Sequence, residues 1–162
     1  MNTSTETILK EANQIILTAL TKALRDQGHY LSGALERSLT SIITKDRLVG
    51  SSLYYLWILD QGVAPGKMVI GTKSVTALTN YVQKRMGYDS KKAKHIAFAI
   101  LKKQQSEGMS TRNAYRYSST GQRKFVLTQA FKNIDQLLSK QIFSGIDALI
   151  NNEFNKQKTQ TI

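Results

Sequence analysis

The chain has 162 residues, 41% of them hydrophobic, with one proline and no cysteine. Disulfides, thiolate metal ligands and cysteine nucleophiles are thereby excluded, and the length predicts one domain whose core needs no staples. The net charge of +12 points to a polyanion or an acidic surface as partner, with a merely solvated basic face as the plainer alternative.

The opening MNTSTETILK has no basic segment followed by an apolar one. No apolar run nears the roughly 20 residues of a membrane helix. A soluble intracellular product is expected. The charge is unevenly placed. Residues 1–60 carry six basic and six acidic side chains, and residues 135–162 carry three of each. Residues 61–134 carry 14 basic side chains against Asp89 and Glu107, so the whole excess lies there.

Thr3-Ser4-Thr5-Glu6 has the T-x-x-E form of a capping box, in which the hydroxyl takes an orphan amide and the Glu reaches back. Leu9, Ala12, Ile16, Ala19, Leu20, Ala23 and Leu24 then recur at helical spacing, up to a stop at Gly28. HYLSGALERS, residues 29–38, predicts a short helix or turn burying Leu31, Ala34 and Leu35. Ile42, Ile43, Leu48 and Val49 suit a pleated surface, and Lys45-Asp46-Arg47 suits the turn between two strands. In LYYLWILDQGV, residues 53–63, Leu53, Leu56, Trp57 and Asp60 share one helical face, and Gly62 ends the helix. A turn surrounds Pro65, and Met68-Val69-Ile70 is expected to add a third strand.

Ser74 is expected to cap a helix bearing Val75, Leu78, Tyr81 and Val82, ending at Gly87. Asp89 or Ser90 caps the next, where Ala93, Ile96, Ala97, Ile100 and Leu101 fall at i, i+3, i+4, i+7 and i+8 until Gly108. In residues 109–124, Tyr115 and Tyr117 alternate with Arg112 and Arg116 in a long polar loop, a kind of segment that tends to be functional. The last helix is expected from about Arg123 to Phe154, with Gly145 bending or dividing it. One domain over 1–155 and a flexible tail over 156–162 complete the reading.

No catalytic, cofactor-binding or metal-ligating residues are assigned. His29 and His95 lack a ligand partner at useful spacing, and VAPGKMVIGTKS lacks the phosphate-loop pattern. The acids are scattered. Asp60 is the strongest lone candidate, because an acid beside a buried run can have a perturbed pKa. A helix-end carboxylate satisfied by nearby amides is the plainer account of it.

The order of the motifs carries a resemblance. A leading helix is followed by Gly33-Ala34-Leu35-Glu36-Arg37-Ser38, an Ile-rich strand, a Val49-Gly50 strand and the aromatic turn Tyr54–Gly62. V-x-x-L-x-x-Y-V-x-x-R (75–85), K-A-K-H-I-A-F-A-I-L-K-K (92–103) and F-V-x-x-x-A-F (125–131) complete the set. Over residues 5–140 this resembles the tail-completion, or head–tail connector (neck), proteins of tailed bacteriophages. Asp60 and Val63 stand where the family pattern has Glu and Thr, and Lys124 where it has Pro.

The resemblance implies an α+β fold, a small curved antiparallel sheet packed by helices, with long helices at both ends. It implies a homo-oligomeric ring in the virion neck or tail, around the DNA channel. Its partners would be portal, adaptor or tail proteins. It implies no catalysis, cofactor or membrane. Tyr54, Tyr55, Trp57, Asp60 and Gly62 would form a structural turn plugging the sheet's core, and Trp57→Ala would cost about 3–5 kcal/mol. The alternative is a small basic nucleic-acid-binding protein, with an enzyme third. Lys84, Arg85, Lys91, Lys92, Lys94, Lys102, Lys103, Arg112, Arg116, Arg123 and Lys124 are the candidate contacts to DNA or a partner.

Overall fold

The computed structural model describes residues 4–109, 121 and 123–160. Helices α1 (Thr5–Asp26) and α2 (Ala34–Arg37) lead to strands β1 (Thr40–Ile43) and β2 (Leu48–Ser51). Helices α3 (Tyr55–Gln61), α4 (Thr72–Met86), α5 (Ser90–Glu107) and α6 (Val126–Gln160) follow. The fold is α+β: mostly helical, with one two-stranded antiparallel sheet and long helices at both ends.

Ser4, rather than Thr3, caps α1, its hydroxyl accepting from Thr7 N at 3.2 Å. Glu6 does not reach back; it pairs with Lys10 at 2.6 Å. The apolar stripe of α1 packs antiparallel along α6. Leu20, Ala23 and Leu24 join Leu35, Leu56, Val126 and Ala130 in the main core. Near the other end of the seam Gly145 faces Ile8, where an added Cβ would sit 2.6 Å from Ile8 Cγ1. Gly145 therefore does not divide α6, which runs through it unbroken; it lets two helices approach. The last helix also starts later than expected, at Val126, and continues past Phe154 to Gln160.

The strands pair as expected, with Ile42 opposite Val49 and Ile43 opposite Leu48. Of the three residues expected to be buried around α2, Leu35 is in the core, Leu31 is half-buried and Ala34 is exposed. The third strand at Met68-Val69-Ile70 does not form. That backbone is held by α5 instead: Gln105 Nε2 donates to Met68 O at 3.1 Å, and Gly66 N donates to Gln105 O at 2.7 Å.

A second, smaller core lies between α4 and α5. Val82, Ala93 and Ala97 are fully buried there, with Leu78, Tyr81, Ile96 and Ile100 around them. Helix α4 begins before Ser74, whose hydroxyl accepts from Gly71 N at 2.9 Å. Asp89 caps α5, accepting from Lys92 N at 3.0 Å. The two cores share no residue.

Candidate functional site

The junction between the end of α1 and the start of α6 holds the most connected polar residues. Asp60, only 3% exposed, sits near the end of α3. Its Oδ1 accepts from Leu127 N at 2.8 Å and Thr128 N at 3.3 Å, and its Oδ2 accepts from Gln61 Nε2 at 2.7 Å. Its backbone carbonyl accepts from Phe125 N at 3.1 Å. A residue remote in sequence therefore caps α6, with its negative charge at the positive end of the helix dipole. Phe125 is held at φ 59, the left-handed region that a bulky residue rarely adopts, by the anchoring of its amide on one side and the capped turn on the other.

The facing helix end is treated in the opposite sense. Arg123 Nε donates to Gln27 O at 3.2 Å, and its Nη2 donates to Gly28 O at 3.3 Å. A cation thus meets the terminal carbonyls of α1. Gln27 is itself buried, and its Nε2 donates to Lys124 O at 3.1 Å and Gln129 Oε1 at 3.3 Å. His29 is half-buried beside Arg123. Burial first, and the guanidinium second, push its imidazole down to about 4. Gln27 Oε1 and His29 Nε2 are buried without a hydrogen-bond partner among the described residues.

This arrangement locks two helix ends together. Asp60 spends its lone pairs on amides, so the plainer account of it holds. Gly62, at φ 75, lies against Met109 O and the Lys124 side chain, with no room for a Cβ. The groove along the α1–α6 seam, about 410 Å³, is walled by Ile15, Ala19, Ala23, Ala130, Ile134 and Leu137. Its charged residues, Lys22 and Asp26, pair with each other at 3.1 Å. Among the described residues no group of His, Asp and Glu is placed to hold a metal ion, and no helix is long and apolar enough to cross a membrane.

The aromatic turn is the main correction. Leu56 and Asp60 take the buried positions of α3, while Tyr54 is 78% exposed, Trp57 58% and Tyr55 40%. A two-stranded sheet offers no cavity for an indole, and the core behind α3 is already filled by Leu24, Val126 and Ala130. Trp57 follows Leu56 by one residue, about 100° round the helix, and so faces outward. Leu53, Ile42 and Val49 are exposed as well. A second uncovered apolar stripe lies on α6: Phe143, Ile146, Ile150 and Phe154, spaced i, i+3, i+7 and i+11. Residue 145 already faces residue 8, and α1 starts at Thr5, so the final turns of α6 run beyond the end of their partner.

The eleven candidate basic contacts fall into separate groups. Arg123 and Lys124 belong to the junction. Arg85 Nη1 donates to Tyr30 O at 3.1 Å, tying α4 to the segment after α1. Lys103 faces Glu107 at 3.9 Å. Arg112 and Arg116, with Tyr115 and Tyr117, lie outside the described residues. Lys84 is exposed on α4, and Lys91, Lys92, Lys94 and Lys102 on α5. The lysine ammonium of residue 92 lies 4.2 Å from the Tyr88 ring centre, and that of residue 102 lies 5.3 Å from Phe98. No family model, curated protein or solved structure matches the chain.

Proposed function

We propose that this chain is a structural subunit of the neck or tail of a tailed bacteriophage, assembling with copies of itself into a closed ring around the DNA channel. Portal, adaptor or tail proteins would lie above and below, and the role involves no catalysis. The order of sequence motifs suggests the setting. The observation that carries the assembly reading is the apolar stripe Phe143–Ile146–Ile150–Phe154, on a helix that outruns its partner.

A second apolar surface, around Tyr54 and Trp57, lies on a different element. Two dissimilar sticky surfaces on one subunit favour head-to-tail contacts, which close into rings when the rotation allows. Such surfaces, left open, would be an aggregation liability for a lone chain.

Light scattering after size exclusion tests this directly. The wild type is expected as a large discrete assembly with a ring outline by electron microscopy. Phe143→Ser with Ile150→Ser is expected to give a folded monomer with an unchanged melt. A wild-type chain that stays monomeric at every concentration removes the self-assembly reading.

A further inference from the structure

Beyond assembly, we infer that the outward face of α5 binds the phosphate backbone of duplex DNA through Lys91, Lys94 and Lys102, set around Phe98. The helix fixes the geometry. Ala93, Ala97 and Leu101 are the buried positions of α5, the two alanines in the small core. Lys91, His95, Phe98 and Lys102 fall at i, i+4, i+7 and i+11, on the opposite side, with Lys94 beside them. All five are exposed. None of the three lysines meets a carboxylate among the described residues. Three cations therefore stand on one helix face without neutralisation, in the part of the chain that carries the whole charge excess.

At about 1.5 Å per residue, the stripe from Lys91 to Lys102 is roughly 16 Å long. A duplex presents about one phosphate per 1.7 Å of axis, so each lysine can reach its own phosphate. Phe98 and Tyr88, each beneath a lysine, offer flat surface to sugar edges between the charges. The competing partner class is an acidic protein surface. Such interfaces are depleted in lysine and enriched in arginine and buried aromatics. This face carries lysines and one histidine, no arginine, and exposed rather than buried rings, which suits phosphate. The face is complete within one chain, so it does not depend on the ring, and the failure of either proposal leaves the other standing.

Fluorescence anisotropy of a labelled short duplex, across a salt series, tests the assignment on the full chain. Three phosphate contacts predict a slope of log affinity on log salt of about −3. The variant Lys91→Gln/Lys94→Gln/Lys102→Gln is expected to lose about tenfold or more in affinity at low salt, with its slope falling toward zero. Lys94→Gln alone is expected to reduce the slope by about one. A control with the same charge loss elsewhere, Lys45→Gln/Lys132→Gln/Lys140→Gln, is expected to stay within about twofold of wild type, and circular dichroism checks that all helices persist.

An equal loss in the control would mean that net charge, not this face, attracts DNA, and would overturn the proposal. Absence of wild-type binding at low salt would do the same. Equally tight binding of a polyglutamate peptide of matched charge would assign the face to an acidic protein instead.

Discussion

The α1–α6 pair and the α4–α5 pair are both antiparallel helix pairs, yet they are held in different ways. The long pair has an apolar seam and a polar lock at one end, where Asp60 caps α6 and Arg123 closes α1. The short pair has an alanine-lined seam, Ala93 and Ala97 against Val82, and its buried polar residue, Thr79, is satisfied within its own helix, the hydroxyl donating to Val75 O at 2.7 Å. Its charge is all on the outside. Stabilising groups are thus concentrated in one region and unneutralised charge in the other. Under the proposed function, that division would give a ring subunit a frame that tolerates assembly contacts and a helix that presents Lys91, Lys94 and Lys102 without a carboxylate partner among the described residues.

Removing the lock should have the largest effect on the long pair and leave the short one intact. Asp60→Ala removes the cap from the Leu127 and Thr128 amides and the carboxylate's bond to Gln61, an expected cost of about 2–3 kcal/mol. In a domain of this size that lowers the melting temperature by roughly 5–10 °C. Hydrogen exchange should show lost protection at the start of α6 and the end of α1, with α4 and α5 unchanged. Equal loss in all four helices would mean that the two regions open as one unit.

Acid should sharpen the same contrast. The His29 imidazole is held down to about 4 by burial and by Arg123, whereas in the unfolded chain it takes its proton near 6.5. Between those values the unfolded state binds more protons, so stability falls as pH falls from about 6.5 to about 4. The loss from this group is about 2–3 kcal/mol, complete below that window and absent above it. Denaturant melts of His29→Gln should show a flatter pH dependence than wild type across that window. An unchanged profile would show that carboxylates alone set the acid limit.

A smaller effect concerns the far end of the seam. Gly145→Ala gains helix propensity of about 1 kcal/mol but drives a methyl into Ile8. The clash should prevail, for a net loss of about 1 kcal/mol. Pairing it with Ile8→Val should recover much of that loss, and a double-mutant cycle reads the coupling.

The two regions were also unequally legible in the sequence. The small pair could be read almost entirely: an i, i+3, i+4, i+7, i+8 stripe between Asp89 and Gly108 needs only local rules. The strands and their polar turn were equally local. The lock was not. Asp60 could be recognised as a helix-end carboxylate, but the amides it binds belong to Leu127 and Thr128, and no spacing rule reaches so far. Gln27 gave no signal, since a glutamine at a helix end ordinarily faces water. Trp57 misled for a related reason: size and aromaticity argue for burial, while the position one residue after Leu56 on a short helix decides against it. For the same reason Trp57→Ala should now shift stability by no more than about 0.5 kcal/mol, well short of a core truncation.

The seam between α1 and α6 also sets an order of events during synthesis. Helix α1 precedes its main partner, α6, which is made only after the α4–α5 pair; Leu35 and Leu56 can meet Leu20 and Leu24 earlier, while Ile8 waits for Gly145. That pair closes through the short Gly87–Asp89 connection, needing only neighbours in the chain. Local contacts form fast and distant ones slowly. The basic pair is therefore ready while the frame is still open, and the newborn chain carries an amphipathic helix with part of its apolar stripe unpartnered through most of its synthesis. Exposure of that stripe is the period of aggregation risk, and it ends with the arrival of residues 126–145.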